Sequence, residues 1–262
     1  MDIIILLKQV PDTETLVQID TNGISVKTEN IKWVMNPYDE LAVEEALRIK
    51  ADHGGTVTAL SLGPQRSVEA IRTSLAMGVD KGVLIKDDSL AGRDALGTAL
   101  ILATAIKEIP FDLIIAGQRA VDNDNGQVGS AVAEFLDIPL VSMVVETSVT
   151  PDKIICTRET EGGTMNIEMD LPGLFTAQRG LNEPRYASLP GILKAKKKPL
   201  EIKNLTDFAL SAEDLEPNQA KARIIALKTP LARKPCKIIS AESCQEKAAT
   251  LVTLLHEEAK VL

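Results

Sequence analysis

The sequence predicts an α/β fold: an open, mostly parallel, Rossmann-like sheet with helices on both faces, an edge hairpin, and a C-terminal arm ending in a helix. Three observations predict it. Short β-branched apolar runs alternate with helix-length stretches over about the first 140 residues, the signature of βαβ units with right-handed crossovers. Hydrophobic residues make up 45% of the chain but aromatics only 3%, so the core is built from Val, Ile, Leu and Ala, as parallel strands covered on both faces require. Finally, Gly, Pro and Asn/Asp pairs fall between the runs, where turns must form.

Taken in order, Ile3–Leu7 is a continuous apolar run that ends at Lys8, a central parallel strand. Residues 11–32 are polar and alternating, a hairpin excursion turning at Asn22-Gly23. Asn36-Pro37 opens a helix that runs to Lys50, with Ala42, Ala46, Leu47 and Ile49 as its apolar stripe. Glu40, Glu44 and Glu45 sit in its first half, as the helix dipole favours, and Gly54-Gly55 ends it. Strands follow at Thr56–Leu62, Gly82–Ile85 and Leu113–Ala116, and helices at Ser67–Met77, Arg93–Ile109 and Gly126–Leu136. Beyond residue 140, Val141–Val149, Lys153–Thr157, Met165–Met169 and Gly173–Thr176 are expected as an antiparallel addition to the sheet edge. From Pro199 the chain is broken by prolines at 199, 217, 230 and 235 and is expected to be an arm without its own core. It closes in a helix capped by Ser240 and striped by Ala248, Leu251, Val252 and Leu255. Two regions result: an α/β domain over 1–200 and an extended arm over 201–262.

Net charge is −8, which disfavours nucleic acid as a partner. Cys156, Cys236 and Cys244 are scattered with no CxxC, which supports neither a disulfide framework nor a zinc site and points to a reducing compartment, the cytoplasm. The run at the N-terminus is too short to span a membrane and lacks a signal-peptide pattern.

In open parallel sheets, ligands sit beyond the carboxyl ends of the strands. Three post-strand loops are unusual: Gln9–Asp12, Leu62-Gly63-Pro64, and Ala116–Ser130 (AGQRAVDNDNGQVGS). The third carries Gly117, Gly126 and Gly129, which let a ligand approach the backbone, and opens a helix whose N–H groups suit a phosphate. Arg119 adds charge; Gln127 and Ser130 add hydrogen-bonding groups. Asp122 and Asp124 shape an Asx-rich turn or hold Mg²⁺. Asn36-Pro37-Tyr38-Asp39 either starts a helix or contacts an adenine or ribose. No Walker lysine motif and no GxGxxG occurs, so neither a P-loop hydrolase nor a dinucleotide-binding dehydrogenase is supported. His53 and His256 have no nucleophile nearby in sequence, and the chain is expected to bind without catalysing. Residues 181–198, LNEPRYASLPGILKAKKK, place Leu189-Pro190-Gly191-Ile192-Leu193 beside Lys194, Lys196, Lys197 and Lys198 on a segment broken by Pro184, Pro190 and Gly191. That is either a solvated lysine face or a surface that meets a partner.

These pieces resemble the beta subunit of electron transfer flavoprotein (ETF). The resemblance rests on VMNPYDELAVEEALRIK (34–50), SLGPQRSVEAIRTSLAMGVDKGV (61–83), AGQRAVDNDNGQVGSAVAEFLDIP (116–139), TRETEGG (157–163) and 181–198, in the family's order. It implies an adenine nucleotide alpha hydrolase-like sheet and a heterodimer with an alpha subunit that holds the redox FAD. The beta subunit buries AMP. Electrons come from flavin dehydrogenases of the acyl-CoA dehydrogenase type and go to a membrane quinone oxidoreductase. Carried over by motif, the nucleotide contacts are Leu6, Asn36, Pro37, Tyr38, Asp39 and Leu62. With them come the loop residues Gly117, Gln118, Arg119, Ala120, Val121, Asp122, Asn123, Asp124, Asn125, Gly126, Gln127 and Val128. Segment 181–198 becomes the recognition loop, with Leu189 as anchor, Lys194 and Lys197 flanking it, and Glu159 as a carboxylate pairing with the mobile flavin domain. No catalytic residue and no metal ligand is implied. Thr13 stands where many relatives have an aromatic near the flavin. Gln127-Val128-Gly129 is similar to the electron-bifurcating branch, in which a second FAD replaces AMP, whereas 181–198 is similar to the AMP-binding branch. A stand-alone adenine-nucleotide sensor of the universal-stress type shares the sheet and is the reading from another class.

Overall fold

The computed structural model describes residues 1–86, 93–208, 210, 220–231 and 235–261. They form two compact units, Met1–Ala226 and Leu227–Leu262.

The first unit is built on β1 (Ile3–Leu7), β4 (Val57–Gly63), β5 (Lys81–Lys86), β6 (Leu113–Gly117), β7 (Leu140–Val149), β8 (Lys153–Thr160), β9 (Gly163–Asp170), β10 (Gly173–Ala177) and β11 (Leu200–Asn204). Among the described residues these nine strands make one sheet, in the order β11-β5-β4-β1-β6-β10-β7-β8-β9. All pairs from β11 to β7 are parallel; β7-β8 and β8-β9 are antiparallel. A separate ribbon pairs β2 (Gln9–Pro11) with β3 (Trp33–Met35). Between them the excursion turns at Gly23, whose φ of 73° suits glycine, and Ile19 bridges Val26 as the hairpin reading expects.

Helices α1 (Pro37–His53) and α2 (Val68–Met77) cover one face, where Ile3, Ile5, Leu7, Val57, Ala59 and Phe175 join Ala42, Ala46, Leu47, Ile71 and Leu75 in a buried cluster. Helices α3 (Ala95–Ile106) and α4 (Val128–Leu136) cover the other, over Ile4, Leu6, Leu60, Ile114 and Leu174. Alternate residues of each strand thus serve opposite layers, and the continuous apolar runs seen in sequence are strands buried on both sides.

Four expectations are corrected. Residues 173–177 do not belong to the edge addition. β10 lies inside the sheet, parallel to both β6 and β7 (Leu174 opposite Ile114 and Leu140), and every one of its residues is buried. Its unbroken apolar character was the signal of a two-sided strand; adjacency to the hairpin obscured it. The arm does not begin at Pro199: Leu200–Asn204 adds an edge strand parallel to β5, and Phe208 packs into the α3/α4 core. Helix α4 starts at Val128 rather than Gly126, because Asp124 (φ 51°) and Gly126 (φ 63°) hold left-handed backbone that no α-helix continues. The closing helix, α6 (Cys244–Thr253), is capped by Ser243 and not Ser240; Ser243 Oγ accepts from Glu246 N at 3.2 Å.

In the second unit α6 leads into a π-helical turn at Leu254–Glu258, and Lys237 pairs with Glu258 at 2.8 Å. Pro217 falls outside the described residues. No described helix is long and apolar enough to cross a membrane.

The placement of β10 has a measurable outcome. Phe175→Ala, in a central strand, is expected to cost about 3–5 kcal/mol of stability. Met165→Ala, on a half-exposed hairpin position, is expected to stay within about 0.5 kcal/mol. Denaturant unfolding of both variants checks the contrast, and equal effects would return β10 to the edge.

Candidate functional site

The chain leaves β1 toward β4 on one side and later returns to place β6 on the other. The carboxyl ends of β1 and β6 therefore flank a switch point, where an open sheet parts into a crevice. One carboxylate holds the two ends. Asp39, in the first turn of α1, is buried and accepts from Lys8 N at 2.7 Å and from Asn36 Nδ2 at 2.8 Å, and Gly117 lies directly against it. Only glycine fits at 117, since a methyl group would collide with Asp39 Oδ1 and press on Tyr38. Burial pushes Asp39 up to about 7, against the donors and the Lys8 charge that favour its ionised form.

The loop after β6 is pinned from the same place. Asn36 Oδ1 accepts from Val121 N at 3.1 Å, while Asn36 Nδ2 also donates to Arg119 O at 2.9 Å. Lys8 Nζ reaches across the crevice to Asp122 at 2.7 Å. The Arg119 guanidinium donates to Tyr38 Oη at 3.1 Å and pairs with Asp124 at 3.3 Å. Gln118 N donates to Ala177 O at 2.9 Å, tying the loop to β10. Each of the two aspartates thus faces a cation, Asn123 Oδ1 between them accepts from Asn125 N at 3.3 Å as in an Asx turn, and no group of three or more His, Cys, Asp or Glu suited to a metal occurs among the described residues. Gly129 serves packing: a Cβ there would stand 3.1 Å from Thr176 Cγ2.

Two features remain open toward a ligand. Helix α4 begins without a side-chain cap on Gln127, so its first N–H groups have no acceptor within the helix. Gln118 Oε1 is buried without a hydrogen-bond partner. Leu6 is buried in the α3/α4 core at the end of β1, and Leu62 and Val128 pack at its rim. Pro37 is the first residue of α1, where its fixed φ suits helix entry. The structure thus gathers Leu6, Asn36 to Asp39, Leu62 and 117–128 at one sheet end. It commits the polar side chains of Asn36 and Asp39 to bracing the loop.

Segment 181–198 lies elsewhere. Its second half is not irregular: Ser188 Oγ accepts from Gly191 N at 3.1 Å and starts α5 (Leu189–Ala195), in whose first turn Pro190 is tolerated. Leu189 is 79% and Leu193 66% exposed, Tyr186 97%. Lys194 and Lys197 are exposed beside them. Glu159 stands apart, exposed in β8 opposite Thr164 on the outer hairpin. Cys156 is buried, and burial pushes its thiol up to about 12, an inert core residue.

Residues 24–208 match the family model described as the electron transfer flavoprotein domain. The chain is 42% identical to the electron transfer flavoprotein subunit beta of Bacillus subtilis (strain 168), over the whole of both chains. It belongs to the electron transfer flavoprotein beta family. It is also 37% identical to the subunit of the same name from Thermoanaerobacterium thermosaccharolyticum, over 98% of each chain. A third relative, the caffeyl-CoA reductase-Etf complex subunit CarD of Acetobacterium woodii, is 36% identical over 98% of this chain and 99% of its own.

In this ETF beta chain several residues that shape the site were not singled out from sequence: Lys8, Arg72, Arg185 and the buried pair Glu44 and Glu45. Glu44 and Glu45 were read as dipole partners. They are instead two acidic positions within the otherwise apolar Leu41–Leu47 stretch, buried and met by Arg185, Thr147 and Asn182. Their place in that stretch was the available signal.

Asp39 gives a pH signature. Its folded-state pKa lies above the unfolded value, so the unfolded chain ionises first as pH rises. Stability is then expected to fall between about pH 4 and 7, by at most about 1.4 kcal/mol per pH unit from this group, and to level off above. Asp39→Asn turns an amide N–H₂ toward these donors. It should lower stability by about 1–3 kcal/mol and flatten that slope, measured as urea midpoints across pH.

Proposed function

We propose that this chain is the beta subunit of a heterodimeric ETF. It accepts electrons from flavin dehydrogenases of the acyl-CoA dehydrogenase type and passes them to a quinone oxidoreductase or another acceptor. One observation carries the docking half of this reading: α5 displays Leu189 and Leu193 to solvent beside the exposed Lys194 and, just past the helix, Lys196 and Lys197, an anchor with steering charges around it. The chain acts as a carrier subunit without catalytic residues of its own. Its exposed Ile224, Ile225, Leu231 and Ile238 provide apolar side chains for the alpha subunit to cover, and Glu159 is available on the outer hairpin to meet the flavin domain. Three free cysteines support a cytoplasmic setting.

AMP fits the crevice. The uncapped start of α4 offers N–H groups to a phosphate, Gln118 Oε1 lacks a donor that a nucleotide hydroxyl or amine supplies, and Leu6 and Leu62 give an apolar rim for a base. Bound there, the nucleotide supplies no redox chemistry; this chain's residues only hold it. The redox FAD is held mainly by the alpha subunit. One observation favours a second reading, in which an FAD replaces AMP. Val128 packs its side chain toward the α3/α4 core and offers the loop no hydroxyl.

Purification with the natural alpha subunit is expected to give a yellow one-to-one heterodimer releasing one FAD and one AMP on denaturation; two FAD and no AMP would establish the bifurcating reading. Leu189→Ala is expected to weaken electron uptake from the dehydrogenase by about 10- to 100-fold, the worth of one buried leucine, with nucleotide content unchanged. Unaltered uptake would remove Leu189 from the docking surface.

A further inference from the structure

Helix α5 has seven residues, too short to persist on its own in water. It is nevertheless held at both ends. Ahead of it, Arg185 forms a forked pair with Glu44, Nε to Oε2 at 2.7 Å and Nη2 to Oε1 at 3.0 Å, and Arg185 N donates to Glu44 Oε2 at 3.1 Å. Asn182 Nδ2 donates to Leu41 O at 3.0 Å and Glu45 Oε2 at 2.9 Å. Behind it, the contacts are reciprocal. Lys198 Nζ donates to Leu75 O at 2.9 Å and Val79 O at 2.6 Å, at the C-terminal end of α2. Arg72, from α2, donates to Ala195 O at 2.5 Å and Lys198 O at 3.0 Å, at the C-terminal end of α5. Both helix ends carry carbonyls without intrahelical partners and the negative pole of a dipole, so Arg72 of α2 caps the end of α5 while Lys198, just beyond α5, caps the end of α2. Ala195 is buried beneath this clamp, and a Cβ at Gly191 would strike Ala76 O, so the two helices meet closely.

Lys198 therefore differs from Lys194, Lys196 and Lys197, whose side chains are exposed. We propose that Lys198 and Arg72 are positioning residues for docking: their exchanged caps fix α5 on α2 so that Leu189 is presented in one orientation before the dehydrogenase arrives. This rests on the docking reading above. A preorganised anchor avoids the ordering cost that a free loop pays on binding, so the clamp acts on affinity and not on the electron-transfer step.

The test uses the intact heterodimer and reduced acyl-CoA dehydrogenase from the same organism as electron donor. Lys198→Met keeps the stem and removes the charge; Lys198→Arg keeps a charged donor. The expected result is a KM for the dehydrogenase raised about tenfold by Lys198→Met, with kcat within about twofold and most of the loss recovered in Lys198→Arg. In a Leu189→Ala background Lys198→Met is expected to add less than about twofold, because it acts through Leu189. Amides 191–195 should exchange hydrogen faster in Lys198→Met while β1, β4 and β6 stay protected. An unchanged KM, unchanged exchange at 191–195, or failure of the variant to assemble overturns the positioning role. So does an equal loss in both backgrounds, which marks a plain steering charge. If Leu189→Ala itself leaves KM unchanged, the docking reading fails. If Leu189→Ala raises KM and Lys198→Met does not, only the clamp fails.

Discussion

The buried carboxylate of Asp39 ties together two strand ends that the topology sends apart. β1 and β6 are neighbours, but the chain visits β4 and β5 before it returns to β6, and Asp39 sits where the two ends meet. Asp39 accepts from Lys8 N and packs against Gly117, and Asn36, which donates to Asp39, extends the same network to Arg119 and Val121. Because the group is buried, each donor matters: losing one leaves a polar atom unsatisfied in a poorly screened place. The conformation of the 117–128 loop, and with it the direction of the first N–H groups of α4, depends on this junction. The absent side chain at Gly117 is part of the same constraint.

Segment 181–198, the proposed docking segment, runs along the same layer from the second turn of α1 to the far end of α2. In a parallel α/β unit the crossover helices run opposite to the strands, so α1 and α2 start at the crevice end and finish at the far end. Lys198 meets α2 at its finish, and Arg185 and Asn182 meet α1 beyond its first turn. Helix α1 thus carries Asp39 at its start and the Glu44-Glu45 pair further along, one element serving two sites that do not touch.

Much of this was legible in the sequence. The strands and helices of the first 140 residues follow from run length and punctuation, because burial on both faces leaves an unmistakable β-branched run at Ile3–Leu7 or Leu113–Ala116. The loop at 116–130 declared itself by its glycines. β10 was misplaced because a strand's character shows that it is buried but not between which neighbours; its pairing with β6 and β7 is a long-range outcome. β11 was masked by Pro199 and by the alternation of an edge strand. The network at Asp39 was only half visible: a helix-start reading and a ligand reading were both open, and the geometry adds that its carboxylate accepts from Lys8 N and Asn36 Nδ2. Lys198 was indistinguishable from its neighbours, since position relative to the end of α2 decides whether a lysine steers or caps.

The reciprocal caps behind α5 separate the identity of the proposed docking surface from its placement. The side chains that face outward from α5 take no part in the caps, which involve Arg72, Lys198 and main-chain carbonyls. Outward residues can therefore be exchanged while the mounting stays the same, and the crevice at the opposite end is untouched by such changes. On the proposed docking reading, a carrier built this way can be re-addressed to a new electron donor by rewriting a single turn or two of helix, an interchangeable tip on a fixed shaft.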